Sequence, residues 1–255
     1  MREYVVAARL PRVVLGAGAL LGLPNELERL GAGRAIVLST PGQRTLAERA
    51  AALLGERCAG VFAEARMHVP VEVARAAAGQ ARRLGAHGAV AIGGGSTTGS
   101  ARRSCSMPAC PSSRCRRRAG REVTAGCGLT EAGLKTTGRD LRALPRTVVY
   151  DAELSSSLPL VTSVVSMVNA IAHAAEGLYA PDVHPVIDAM AEEGIRSGVA
   201  ALLQQDAADV EARGEALVAA WLRTPCSAMR RSACTTSSAT RSAAASTCRT
   251  PRSTQ

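Results

Sequence analysis

At 255 residues, 47% hydrophobic but only 2% aromatic, the chain can bury one large or two ordinary cores, packed chiefly by Ala, Val and Leu. No run is long and apolar enough to span a bilayer, and the start, Met-Arg-Glu-Tyr-Val-Val, lacks a secretion-signal pattern, so a cytoplasmic protein with no membrane partner is expected. A net charge of +10 invites a nucleic-acid reading. Its distribution argues against one: residues 100–121 hold seven arginines and no acid, residues 223–255 hold six and no acid, and the rest of the chain is left at −3. The cysteines follow the same partition, with Cys105, Cys110 and Cys115 in the first segment and Cys226, Cys234 and Cys248 in the second. Cys127 lies just past the first segment, and Cys58 alone lies deep in the regular body. The first trio has no usual zinc spacing and no nearby histidine, and a cytosolic chain is not expected to carry a disulfide framework.

In chain order, Val13–Leu15 reads as a short strand ending in Gly16-Ala17-Gly18, and Asn25–Leu30 as a short helix. Arg34–Ser39 is a buried strand stopped by Thr40-Pro41-Gly42, and Leu46–Leu54 is an Ala-rich helix. Val71–Leu84 is a second helix with Val71, Val73, Ala77 and Ala81 near one face, and Ala89–Ile92 is the next strand. Strands alternating with helices imply a largely parallel sheet covered on both faces. After residue 121 the pattern becomes regular again. Thr147–Tyr150 is a strand followed by Asp151, and Ser166–Leu178 and Val186–Leu203 are helices, the latter placing Ile187, Met190, Ile195, Val199 and Leu202 on a common face. Trp221 reads as core, His184 as the residue at which a helix starts, and His68 and His87 as peripheral. The fold class is therefore α/β, an N-terminal Rossmann-like parallel-sheet domain followed by a helical one. By composition alone, 100–121 and 223–255 are a disordered basic linker and tail.

Gly93-Gly94-Gly95-Ser96-Thr97-Thr98-Gly99 follows a buried strand. Glycines permit both a tight turn and close approach of backbone N–H groups to a diphosphate, so structural and anion-binding readings are equally open on the residues alone. The turn is not the G-x-G-x-x-G of the usual dinucleotide fold. In its context, the run from Ala89 to Gly99 resembles the diphosphate-binding turn of iron-containing alcohol dehydrogenases. Within that superfamily, Gly128–Asp140, Met167–Ala180 and Val37–Pro41 are similar to the maleylacetate reductase branch. The resemblance covers about 1–99 and 119–222.

The resemblance implies a dehydroquinate synthase-like arrangement. A dinucleotide-binding α/β domain is expected over 1–153, with 100–121 aberrant, a partial, truncated all-helical domain over 154–222, and an aberrant, disordered tail over 223–255. It also suggests an origin for the odd segments, since high-GC coding sequence read out of frame yields Arg, Ala, Ser, Pro, Thr and Cys. Shifted by two nucleotides, the coding sequence from Ala101 onward permits Lys-Ala-Ile-Val-Leu-Asp-Ala-Gly-Leu-Pro-Ile-Val-Ala-Val-Pro-Thr-Thr, a helix, a loop and a strand. The same shift across Cys234–Arg252 permits His-His-Lys-Leu-Cys-His-Thr-Leu-Gly-Gly-Ser-Phe-Asp-Leu-Pro-His-Ala-Glu, which resembles the family's histidine-bearing segment. Frame disruption at about 100–118 and from about 223 to the end is the resulting expectation.

The activity implied by the resemblance is reduction of maleylacetate to 3-oxoadipate by NADH or NADPH in aromatic-compound breakdown. The implied partners are a small dicarboxylate substrate and a second copy in a homodimer, with no nucleic acid. Gly93, Gly94, Gly95, Ser96 and Thr97 would serve the cofactor diphosphate, Ser39 and Thr40 its adenosine side, and Lys135 would lie near the cofactor. Asn169 and His173, at i and i+4, share a helix face. In metal-dependent relatives the first of these positions is Asp and both bind the ion. An amide is a poorer ligand for a divalent cation, so no metal is expected here and His173 would donate a hydrogen bond or proton to substrate, with Glu176 orienting it. The competing readings are a metal-dependent alcohol or glycerol dehydrogenase of the same superfamily, against which Asn169 speaks, and a basic nucleic-acid-binding protein.

Overall fold

The computed structural model describes residues 11–67, 69–105, 112–116, 126–131, 134–139, 144–180, 183–204 and 209–228. His68, Cys110, Cys234, Cys248 and all of 229–255 lie outside the described residues. A six-stranded parallel sheet has the spatial order β1-β8-β5-β4-β2-β3. Its strands are β1 (Arg12–Gly16), β2 (Ala35–Leu38), β3 (Cys58–Phe62), β4 (Gly88–Gly93), β5 (Ser112–Arg116) and β8 (Thr147–Asp151). The hairpin of β6 (Gly126–Glu131) and β7 (Leu134–Arg139) forms a separate antiparallel pair.

β2, β4 and β8 are buried along their whole length, as strands covered on both faces must be. Successive side chains alternate between faces. Ala35, Val37, Val90, Ile92 and Val149 pack beneath α1 (Leu23–Arg29) and α2 (Arg44–Leu54). Ile36, Leu38, Ala89 and Ala91 pack on the other face, against α3 (Val71–Arg83) and Ala101 of α4 (Gly95–Cys105). With so few aromatics, alanines such as Ala47, Ala50, Ala77 and Ala81 make these contacts.

The structure departs from the sequence reading at β3 and within 100–121. β3 is not evident in Cys-Ala-Gly-Val-Phe because its register against β2 shifts beside Gly60, and a glycine within a strand commonly marks such an irregularity. Leu84 packs so closely on Gly60 that a Cβ there would meet it at 2.8 Å. The basic-linker reading of 100–121 is corrected over part of its length. α4 runs through Cys105, and residues 112–116 pair in parallel with both β4 and β8 in the middle of the sheet. A central strand written Ser-Ser-Arg-Cys-Arg stands where a parallel sheet calls for an apolar run.

At the amino end of the sheet, Glu26 of α1 accepts hydrogen bonds from Arg12, Arg29 and the Thr147 hydroxyl. Burial pushes its carboxyl up, but the two guanidinium groups and the hydroxyl outweigh that and hold it below its ordinary value of 4.5. The folded chain thus favours ionised Glu26, a contribution complete above 4.5 and lost as pH falls through the lower folded value. The stability difference between the parent chain and Glu26→Gln, read by thermal unfolding, is expected to shrink below about pH 4.5; a constant difference would contradict this.

Beyond β8, α5 (Ala152–Ser156) leads into α6 (Leu160–Leu178), α7 (Pro185–Leu203) and α8 (Val210–Ala228). α6 begins at Leu160, ahead of its strongest sequence stretch at Ser166–Leu178, because β-branched residues at 161, 162, 164 and 165 weaken the signal of its first turns without breaking the helix. Val161, Val165 and Val168 form an exposed apolar stripe along it. On α7 the buried stripe is Ile187, Ala191, Gly194, Gly198 and Ala201, whereas Val199, expected on the core face, is exposed. Small residues set this face because the helices approach closely: a Cβ on Gly198 would lie 2.8 Å from Ile171 Cγ1 and 3.2 Å from Met167 Sδ. Gly198→Val is expected to cost about 1–3 kcal/mol by overpacking, read as a shift in the urea midpoint. Leu217 and Trp221 of α8 join Val148 and Tyr150, seating the helical layer on the sheet. The helix continues past Trp221 through Ala228, with Arg223 buried.

Candidate functional site

The order of the strands creates a crevice. The chain leaves β2 for β3 on one side and returns to β4 on the other. α2, after β2, lies on one face of the sheet, and α4, after β4, on the opposite face. Connections therefore diverge between β2 and β4, and the gap at their carboxyl ends is where open parallel sheets take ligands.

The glycine turn forms one wall. Gly93 ends β4 with φ 131°, a conformation open to glycine and costly for other residues. α4 begins at Gly95, and Thr98 donates the first helical hydrogen bond back to the Gly94 carbonyl at 3.1 Å. The N–H groups of Gly95, Ser96 and Thr97 lie ahead of that bond at the positive end of the helix, an arrangement suited to an anion. Gly95 is exposed and Gly94 and Ser96 are half-buried, whereas Thr97 is buried.

Ser39 and Thr40 form the other wall. Ser39 is fully buried, its N–H donating to Phe62 O and its carbonyl accepting from Ala65 N. Its hydroxyl and that of Thr97 are buried without a hydrogen-bond partner among the described residues. Thr40 is half-buried and donates its hydroxyl to Gln43 Oε1 at 3.1 Å. Gln43 in turn reaches the glycine turn, and its side chain fills the space a Cβ on Gly93 would need. The structure thus brings Ser39, Thr40 and Gly93–Thr97 to one crevice. It adds Gln43, which sequence reasoning missed and whose only mark was a polar residue opening the helix after β2.

Asp151 was also missed as a positioning group. Buried at the carboxyl end of β8, it accepts from the N–H groups of Gly18 (3.1 Å), Leu20 (2.9 Å) and Glu153 (3.0 Å), pinning the turn after β1. A lone acid directly after an apolar strand was the available signal.

The other candidates lie on different elements. Lys135 is on β7, paired with Thr130 of β6, and β6 packs beside α3 and α4. Asn169 and His173 lie on α6, Asn169 exposed and the His173 side chain 12% exposed. His173 Nδ1 is 3.1 Å from Glu176 Oε2, so Glu176 orients the ring. His184 starts α7, its carbonyl accepting from Ile187 and Asp188. A concave pocket lined by Leu160, Met167, Ala201, Ala212, Arg213 and Ala216 lies within the helical layer and includes none of these candidates. Its Arg213 is already engaged by Ser163 Oγ and the Leu158 carbonyl. Among the described residues, no group of three or more His, Cys, Asp or Glu is placed to hold a metal ion, and no helix is long and apolar enough to cross a membrane.

The iron-containing alcohol dehydrogenase family model matches residues 11–108. The crystal structure of maleylacetate reductase from Rhizobium sp. strain MTP-10005 superposes with a TM-score of 0.88 at 42% identity, covering 91% of this chain and 67% of that one. The chain belongs to the iron-containing alcohol dehydrogenase family. Maleylacetate reductase of Burkholderia cepacia is 54% identical over 225 residues, 87% of this chain and 64% of the relative. That of Pseudomonas knackmussii is 47% identical over 227 residues, 86% of this chain and 63% of the relative. The chain thus spans a little under two thirds of the length of these curated relatives. As in iron-containing alcohol dehydrogenases of known structure, a parallel α/β domain precedes a mainly helical one. The family model stops at residue 108, inside the first arginine-rich segment.

Proposed function

We propose that this chain is the dinucleotide-binding and proximal helical part of a maleylacetate reductase. It would use NADH or NADPH to reduce the C=C bond of maleylacetate to 3-oxoadipate in aromatic-compound breakdown. The observation that carries the reading is the 54% identity to a maleylacetate reductase over 87% of the chain. Supporting a dinucleotide in the crevice, Ser39 Oγ and Thr97 Oγ1 are buried with no hydrogen-bond partner among the described residues, and Thr97 lies on the first turn of a helix that begins at an exposed glycine. Gly93–Thr97 would hold the diphosphate, Ser39 and Thr40 the adenosine side, and Lys135 would lie near the cofactor. When bound, the nicotinamide supplies the hydride. His173, its ring set by Glu176 at 3.1 Å, would give a proton or hydrogen bond as enolate charge develops, and Asn169 would engage a substrate carboxylate.

The donor set favours this over a metal-dependent alcohol or glycerol dehydrogenase, because Asn169 offers an amide where a carboxylate ligand would be needed. A nucleic-acid reading loses support because part of the first basic segment is a central strand of the sheet. We further propose that the two arginine-rich segments are out-of-frame readings, that a homodimer is the working assembly and that the cytoplasm is its place. The polar composition of β5 and the end of the family match at residue 108 support the first of these. The exposed Val161, Val165 and Val168 stripe supports further helical structure belonging against α6.

The test gives the frame-restored protein maleylacetate with NADH or NADPH, read as oxidation of the cofactor, and simple alcohols with NAD+ or NADP+, read as its reduction. Turnover with maleylacetate, unchanged by chelator, is expected, with none on simple alcohols with or without added iron or zinc; the reverse pattern would overturn the reading. In the same protein His173→Ala is expected to lower kcat about 10²–10⁴-fold while leaving NADH affinity unchanged. A joint loss of affinity would place His173 in binding instead.

A further inference from the structure

Resting on the reading of the β2/β4 crevice as a dinucleotide site, we propose that Val69 is a positioning residue for the ligand's diphosphate, acting through Gly99 to brace the start of α4. Three observations converge on it. Among the described residues, Val69 is the only non-glycine residue with a positive φ, 51°. A β-branched side chain is a rare occupant of that region, and the ring of Pro70 restricts the preceding backbone further. Such a conformation persists only where its surroundings hold it. The loop carrying Val69, between β3 and α3, is tied to the Ser39 wall of the crevice. Buried Ala65 donates its N–H to the Ser39 carbonyl at 3.0 Å, and the Val69 N–H returns to the Arg66 carbonyl at 3.3 Å. At its other end the loop meets α4. The buried Val69 side chain lies against Gly99, its Cγ2 filling the place a Cβ there would take, with Val69 Cβ 3.6 Å and Cγ1 3.9 Å from that point.

The placement matters because of where α4 begins. Cα–Cβ bonds of a helix tilt toward its amino end. The space beside Gly99 that Val69 occupies therefore lies over the turn that starts at Gly95. That turn presents the N–H groups of Gly95, Ser96 and Thr97 ahead of the first helical hydrogen bond. Residues 93, 94, 95 and 99 are all glycine, so this helix start has few side chains of its own to fix its position. Val69 supplies that packing from outside, from a loop anchored on the facing wall. Donors held in place before the ligand arrives lose less freedom on binding, which raises affinity. Strain at Val69 is the cost of a brace between the two walls.

The test titrates the full chain and its variants with ADP and with adenosine, followed by saturation-transfer NMR, beside thermal unfolding of each protein. Val69→Gly removes the contact with Gly99 and relieves the backbone. Val69→Ala removes the same methyl groups and keeps the strained φ. The Kd for ADP is expected to rise about three- to tenfold in both, with adenosine binding unchanged, although Val69→Gly unfolds at the higher temperature. Affinity would then follow the contact and not the stability, which a merely structural role does not produce. The three atoms nearest the Gly99 Cβ position all belong to Val69, so Gly99→Ala added to Val69→Gly returns a methyl to the vacated space. That double variant is expected to recover most of the ADP affinity. ADP affinity unchanged in either single variant, an equal loss for adenosine, or no recovery in the double variant overturns the proposal. A Gly95→Val chain separates the two layers of the argument. If Gly95→Val weakens ADP and neither Val69 variant does, the crevice reading stands and Val69 falls. If the parent chain binds neither ligand, the crevice reading falls and takes Val69 with it.

Discussion

Gly93→Ala is expected to abolish measurable dinucleotide binding and to destabilise the chain by about 3 kcal/mol. Two costs add. At φ 131° an alanine sits in a region that non-glycine residues occupy only under strain, typically about 1–3 kcal/mol. The new methyl would also collide with the Gln43 side chain and press on Thr97 Oγ1 at 3.1 Å, and overpacking of a buried site costs a further 1–3 kcal/mol or so. Both neighbours belong to the crevice, so relief of the clash must move one of its walls. Urea unfolding followed beside NADH titration checks the two parts together. The informative contrast is Gly95→Val, at an exposed position on the first turn of α4. There binding is expected to weaken with stability nearly unchanged. Equal stability loss at both positions would mean that the turn is a structural element only.

Restoring the reading frame across 101–118 is expected to have the largest effect on stability of any change to this chain. β5 lies between β4 and β8, with hydrogen-bonded neighbours on both sides and helices covering both faces of the sheet. In such a position each fully buried Val or Ile contributes about 1.5–3 kcal/mol over an exposed one. The alternative frame supplies an Ile-Val-Ala-Val run in place of Ser-Ser-Arg-Cys-Arg. Even two such side chains amount to about 3–6 kcal/mol, comparable with the whole stability of many domains. The restored protein is therefore expected to unfold at distinctly higher urea concentration than the chain as written. Equal midpoints would show that the present β5 is as good a strand as its replacement, and would count against the out-of-frame origin of this segment.

The elements that could be read from sequence are those where burial and periodicity agree. β2, β4 and β8 are short runs of Val, Ile, Leu and Ala buried on both faces, and α3 repeats its buried alanines at helical spacing. β3 was hidden because a register shift beside Gly60 interrupts the alternation. The β6–β7 hairpin was hidden because Gly126–Arg139 mixes Gly, Thr and charged residues with no apolar face to follow. α7 was found, but its core face was assigned from its large residues. Ile187, Met190, Ile195 and Leu202 do pack on the core, but close approach of α8 at Gly194 and of α6 at Gly198 adds small residues to that face and leaves Val199 outside.

The site divides in the same way. Glycines and hydroxyls after β2 and β4 announce a turn that can approach an anion, and the strand order then brings them together at one crevice. Gln43 could not be read in advance, because its importance lies in filling the space left by a glycine fifty residues later in the chain. Asp151 likewise acts on N–H groups far away in sequence, at Gly18 and Leu20. His173 and the residue that orients it, Glu176, could both be read from sequence, because they lie three apart on one helix and their 3.1 Å contact is local.

The central claim is that the crevice between the carboxyl ends of β2 and β4 binds a nicotinamide dinucleotide. The most direct measurement is calorimetric titration of the full chain with NADH, beside the same titration of Gly95→Val. The account predicts one site per chain and a clear loss of affinity in the variant. Absence of binding in the parent chain, or equal binding in both proteins, would contradict it.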